Sequence, residues 1–193
     1  MFYGCSSLTS TPELPATTLT PQCYYCMFGN CTSLTATPAL PATTVDESSC
    51  YQMFYHCTSL TTVPDTLPAT TLASQCYSGM FNMCSSLTTA PALPATTLAE
   101  GCYTSMFYMC SSLTTAPDLP APTLTSQCYH RMFSYCEQLN SVTCLATTFA
   151  DNSTFEWLDY VATSGTFTKA ANANWEEGAS GIPSGWNIVT SGN

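Results

Sequence analysis

Cysteine is the residue type in this 193-residue chain best suited to chemistry, and there are thirteen of them. Thiols can pair as disulfides, ligate soft metals or act as nucleophiles, and their spacing decides among these. Five form one series, Cys23, Cys50, Cys76, Cys102 and Cys128, and six form another, Cys5, Cys31, Cys57, Cys84, Cys110 and Cys136. Cys26 and Cys144 stand outside both. A Cys-rich chain invites a disulfide framework, and neighbouring turns of a repeat put like residues about 5 Å apart, within reach of the bond. Thirteen is odd, however, and both series fill slots that a hydrophobe would fill. Buried free thiols are therefore the expected state, with disulfides as the alternative. Cys23-Tyr-Tyr-Cys26 is a lone C-x-x-C, and a zinc site needs a second pair at suitable spacing. No metal or cofactor is expected.

The other candidates are weaker. His56 and His130 have no partner motif, and no G-x-S-x-G, H-E-x-x-H or phosphate-cradling Gly-rich loop is present. Nothing supports an enzyme. Glu13, Asp65 and Asp118 occupy one repeating slot, with Ala39 and Ala92 alternating between them. Carboxylates on alternate turns would lie about 10 Å apart, too far to share a cation, so a solvated edge is the expectation. Lys and Arg number 2 against 12 Asp and Glu, a net charge of −10. Such a chain cannot displace phosphate counterions, which excludes most nucleic-acid binding, and it is repelled by anionic membrane surfaces. No apolar run approaches the roughly 18 residues of a membrane span, so no direct membrane insertion is expected.

The elements that position these residues come from a repeat. Met-Phe recurs at Met1, Met27, Met53, Met80, Met106 and Met132, with spacings of 26, 26, 27, 26 and 26, the 27 arising from the extra Thr66. Six copies predict a solenoid over residues 1–148. Within a unit, Cys102, Met106 and Cys110 fall at i, i+4 and i+8, with Tyr103 and Phe107 as a parallel row. That spacing predicts a short helix on one face of each turn. Leu113, Ala116 and Leu119, and their equivalents, predict a short inward-facing strand, stacked in a parallel sheet about 4.8 Å from its neighbours. Pro12, Pro38, Pro64, Pro91 and Pro117 have no N–H to donate and should end each strand after about three residues. Residues 149–193 leave the pattern. Ser153-Thr154-Phe155-Glu156 reads as a capping box that predicts a helix from about Thr154 to Ala162, with Gly165 as its stop. Strands are expected at 165–169 and 186–190. The expected fold class is thus α/β: a leucine-rich-repeat solenoid of six turns, strands on one face and helices on the other, with a small C-terminal α/β cap.

The pattern Met-Phe-x-x-Cys-x-x-Leu-Thr, followed by Leu-Pro and a second Met-Phe-x-x-Cys, resembles the BspA-like leucine-rich repeats of bacterial surface proteins. The resemblance covers about residues 1–145. This unit is a few residues longer than the usual one and carries Met-Phe where Ala-Phe is common. The resemblance implies an extracellular or cell-surface location and an adhesive role, with any signal peptide lost by truncation. Met1 lies inside the first turn with no capping segment before it, so end-to-end contact at that turn is a further expectation.

The candidate ligand face is uncharged. Thr61-Thr62, Thr88-Thr89 and Thr114-Thr115 should stack turn on turn beside the strands. β-propensity alone would account for threonine there. A neutral hydroxyl surface for a host or microbial protein or glycan is the functional reading, with Tyr25, Tyr55, Tyr108 and Tyr135 as candidate contact rings. The alternative is a purely structural segment, a stalk or fibre within a larger cell-surface or phage-associated protein.

Overall fold

A computed structural model describes residues 1–192. Among them there is no helix. Five short strands occur: β1 (Thr123–Leu124), β2 (Ser141–Cys144), β3 (Thr148–Phe149), β4 (Thr166–Lys169) and β5 (Asn187–Thr190). The expected α/β class, with helices on one face and an α/β cap, is therefore corrected. Successive copies of the repeat do lie in parallel register, Thr18 opposite Thr44, Ala36 opposite Thr62 and Thr71 opposite Thr97.

The segments expected as helices are runs of linked β-turns. In the run 22–31, Cys23, Tyr25, Met27, Gly29 and Cys31 donate their N–H groups three residues back, closing successive turns. The residues between them, Tyr24, Cys26, Phe28 and Asn30, donate instead to the next coil, at Ser49, Tyr51, Met53 and Tyr55. Gln22, Cys26 and Asn30 have φ of 57°, 49° and 59°. Alternate turns thus carry a left-handed residue in their third position, as type II turns require. The path repeats every four residues, so side chains at i, i+4 and i+8 fall on one side, which a helix also does approximately.

The same three left-handed slots recur in the runs around Gln52, Gly79, Ser105, Arg131 and Glu156. None of the occupants is Val, Ile or Thr, for which positive φ is most costly. The run 152–160 replaces the helix expected over Thr154–Ala162. Asn152, Glu156 and Tyr160 are left-handed, and Tyr129, Arg131, Phe133 and Tyr135 donate to Ser153, Phe155, Trp157 and Asp159. Gly165 ends no helix either. A Cβ there would meet the Asn140 carbonyl oxygen at 2.5 Å and the Trp186 ring at 2.8 Å, so glycine is required by close approach.

These turn runs form the one ladder that continues through every coil. The strand side is intermittent. Ala36 pairs with Thr62, and Thr115 with Ser141, after which β2, β4 and β5 form a three-stranded parallel sheet. On the third side, β1 pairs with β3. The core lies between the sides. Phe2, Phe28, Phe54, Phe81, Phe107 and Phe133 stack with centroid spacings of 5.4, 5.5, 5.7, 5.7 and 5.5 Å. Tyr77, Tyr103, Tyr129 and Trp157 form a second stack at 5.9, 6.0 and 6.1 Å. Trp175 closes it, 5.2 Å from Trp157 and nearly parallel to it.

Candidate functional site

The six candidate threonines, Thr61, Thr62, Thr88, Thr89, Thr114 and Thr115, are all exposed. They follow the buried Leu60, Leu87 and Leu113 in segments where no strand forms, so both residues of each pair face solvent. The row is not uniform. Thr61 and Thr62 both donate their N–H to the Thr35 carbonyl, and the Thr61 hydroxyl donates to it as well, at 3.3 Å. The Thr114 carbonyl accepts from Asn140. Thr88 and Thr89, at the centre of the row, make no backbone or hydroxyl hydrogen bond to another described residue. Six hydroxyls therefore line one edge, and the middle pair also offers two N–H groups and two carbonyls to solvent.

The cysteines are thirteen free thiols. Those ending the turn runs have one structural task. Cys57, Cys84, Cys110 and Cys136 donate S–H to the carbonyls of Phe28, Phe54, Phe81 and Phe107, at 3.2, 3.2, 3.1 and 3.0 Å. Cys31 does the same to Phe2 at 3.1 Å. Each thiol thus ties the backbone of a stacked phenylalanine to the following coil. Burial pushes the Cys57, Cys76, Cys136 and Cys144 thiols up to about 12, and holds Cys84 and Cys110 well above the ordinary range. A thiol that does not ionise is neither a nucleophile nor a metal ligand. Cys5 and Cys23 are exposed and Cys26 is half-buried. Titration of the native protein with an aromatic disulfide reagent is therefore expected to find two fast thiols and one slower one. All thirteen should react in denaturant, and a native count well above three would refute the buried-thiol assignment.

The structure does not bring the remaining candidates together. Cys26 Sγ faces the Gln52 side-chain oxygen at 3.7 Å, and among the described residues no three His, Cys, Asp or Glu side chains gather as a metal site. His56 Nδ1 lies 2.9 Å from Asn30 Oδ1. His130 leans on the Phe155 ring at 5.6 Å, and its pKa is lowered by burial and then by the adjacent Arg131. Of the candidate rings, Tyr25 is exposed, while Tyr55, Tyr108 and Tyr135 are half-buried. Tyr25 stacks on Tyr51 at 4.8 Å and Tyr135 on Tyr160 at 4.4 Å. In each pair, one face of each ring is already occupied and cannot take a ligand.

Sequence reasoning missed the concave surface. The Pro-x-Leu-Pro segments of successive coils lie along one edge and are separated by clefts. One of about 450 Å³ lies between Thr9–Pro15 and Ala36–Pro41, one of about 370 Å³ between Thr37–Leu40 and Val63–Pro68, and one of about 350 Å³ between Ala90–Pro94 and Pro117–Pro120. Proline causes them: it removes the ladder donor where the coils would pair. Pairing returns where the pattern changes. The extra Thr66 bridges to Ala92, and Cys144, in a coil with no proline at this edge, bridges to Leu119. The prolines were the available signal, since strands that cannot pair must leave a gap.

Compared with protein-family models, curated proteins and solved structures, the chain matches none.

Proposed function

We propose that this chain is a non-enzymatic extracellular binding module that contacts a host or microbial protein or glycan through its threonine-rich edge. The observation that carries the reading is the state of Thr88 and Thr89: central, exposed, and with hydroxyls and peptide groups that make no hydrogen bond to another described residue. The extracellular part of the reading rests on the resemblance of the Met-Phe-x-x-Cys repeat to bacterial surface repeats.

The test is a screen of the purified chain against arrayed glycans, mucins and matrix proteins, alongside the variant with Thr62, Thr89 and Thr115 all replaced by alanine. These side chains are exposed, so the variant should keep its stability to within about 0.5 kcal/mol per site. Its affinity for any ligand found should fall at least about tenfold, from the loss of several interfacial hydrogen bonds. A hit that the folded variant retains undiminished would move the site elsewhere.

A second reading, a structural segment of a stalk or fibre, is favoured by the unbroken turn ladder and the six-membered phenylalanine stack. Both run the length of the repeats and give it axial stiffness. A blank screen with the fold verified would select it.

A further inference from the structure

The clefts along the proline edge share three features. Their walls are built largely on proline, Pro12, Pro15, Pro38 and Pro41 in the first, with hydroxyl residues such as Thr11 and Thr37 beside them. Each contains at least one exposed carboxylate, Glu13 in the first, Asp65 in the second, and Asp65 with Asp118 in the third. Their walls also hold backbone groups without partners. Leu14, Ala39 and Leu40 make no backbone hydrogen bond to any described residue.

Charge narrows the occupant further. The chain carries a net charge of −10 and two cationic side chains. Both are engaged away from the clefts: Arg131 Nε donates to Glu156 Oε2 at 2.6 Å, and Lys169 Nζ to the Ala173 carbonyl at 2.6 Å. No cation of this chain lines a cleft, so the carboxylates there meet only solvent. The complement to such a surface is a ligand with cations to meet the carboxylates, flat or aliphatic stems to lie on proline, and amide groups to meet the free backbone. Extended polypeptide supplies the amides. Arginine and lysine supply stem and charge together.

We propose that the proline-edge clefts are a docking surface for an extended, arginine- or lysine-bearing segment of another protein. This surface borders the threonine row, whose first-coil counterparts Thr9 and Ser10 line the first cleft, but the inference does not need Thr62, Thr89 and Thr115 to bind a ligand. Coils 2 and 4 carry Ala39 and Ala92 in the carboxylate slot, so the cations of the partner need not follow the coil spacing one for one.

The test uses the full chain and a twelve-residue peptide of four Arg-Pro-Thr triplets, with binding read by calorimetry or fluorescence anisotropy. A peptide of four Glu-Pro-Thr triplets and the polyamine spermine serve for comparison. Two charge-matched triple variants separate site from field. One replaces the cleft carboxylates (Glu13→Gln, Asp65→Asn, Asp118→Asn). The other replaces exposed carboxylates outside the clefts (Glu47→Gln, Glu100→Gln, Glu137→Gln). Thermal unfolding confirms that both fold. The expected result is saturable binding of the arginine peptide that weakens as salt rises. It should fall at least about fivefold in the cleft variant and less than about twofold in the other. No binding would overturn the proposal. So would an equal loss in both variants, which is bulk attraction to an acidic chain, or equal affinity for spermine, which needs no polypeptide.

Discussion

Replacing Phe81 with alanine is expected to lower the free energy of unfolding by about 3–5 kcal/mol, the range for emptying a buried aromatic site. Phe81 is fully buried and lies between Phe54 and Phe107, 5.7 Å from each ring. Its neighbours are the same residue in identical slots, so neither can swing in to fill the cavity without leaving its own stack. The Cys110 thiol would still reach the residue 81 carbonyl, because that bond is to backbone. The loss is therefore one of ring packing. Phe2→Ala is the internal comparison. Phe2 ends the stack, is half-buried and has Phe28 as its one stacking neighbour, at 5.4 Å. Its removal should cost less than about 1.5 kcal/mol. Urea unfolding followed by circular dichroism measures both. Since each coil touches only its neighbours, the mid-stack variant should also broaden the transition as the halves uncouple. Equal costs at the two positions would show that the stack does not hold the coils together.

The second large effect is expected at Trp157. It is fully buried, stacks between Tyr129 and Trp175, and donates its indole N–H to the Gly181 carbonyl at 2.7 Å. Phe167, on β4, meets its edge at 6.0 Å. One side chain thus ties the last turn run to the closing segment. Trp157→Ala should cost about 3–5 kcal/mol. Trp157→Phe keeps a ring and loses the N–H donor, and should cost about 1–2 kcal/mol. Hydrogen exchange gives the sharper readout. Amides of β4 and β5 should lose protection in the alanine variant, while those of the Met53–Met106 runs keep it. Uniform loss across the chain would mean that the closing segment is not a separable unit.

These positions show what the sequence made legible. The period of 26, the Leu and Phe slots and the two cysteine series are all visible in the Met-Phe register, and from Phe28 onward their residues fill the core, while Cys5 and Cys23 in the first coils are exposed. The strands expected at 165–169 and 186–190 lie within a residue of β4 and β5. The helices were misread for a specific reason. Cys102, Met106 and Cys110 do share one side, but the period that aligns them is the four-residue repeat of paired turns. A buried helix would also place apolar residues at i+3 and i+7. In that register stand Ser105 and Met109, Gly79 and Met83, Cys26 and Asn30, all residues with positive φ. The runs are also built from Cys, Tyr, Ser, Thr and Gly, which are poor helix formers. The discriminating signal was a strict period of four whose fourth place is mostly, though not always, glycine or a polar residue and is never β-branched. The capping box at Ser153 misled in the same way, since Ser and Glu at that spacing also suit a turn. The exposure of the threonine row was legible from the two polar residues that follow each leucine slot. Its uneven bonding was not, because whether neighbouring coils pair depends on the prolines that follow.

The turn ladder has an electrical consequence. In every run the inter-coil N–H groups point toward the C-terminal neighbour and the accepting carbonyls toward the N-terminal one, as with Phe28 to Met53, Phe54 to Met80, Phe81 to Met106 and Phe107 to Met132. Peptide dipoles aligned this way add, as they do along a helix axis. Here the partial positive end lies toward Tyr160 and the partial negative end toward Met1, the reverse of an α-helix relative to chain direction. The stack is therefore a vector. A further coil laid on the Met1 face would have to bring N–H groups to meet carbonyls. Two such faces set against each other would oppose like poles, so the ladder cannot be extended head to head through the Met1 face.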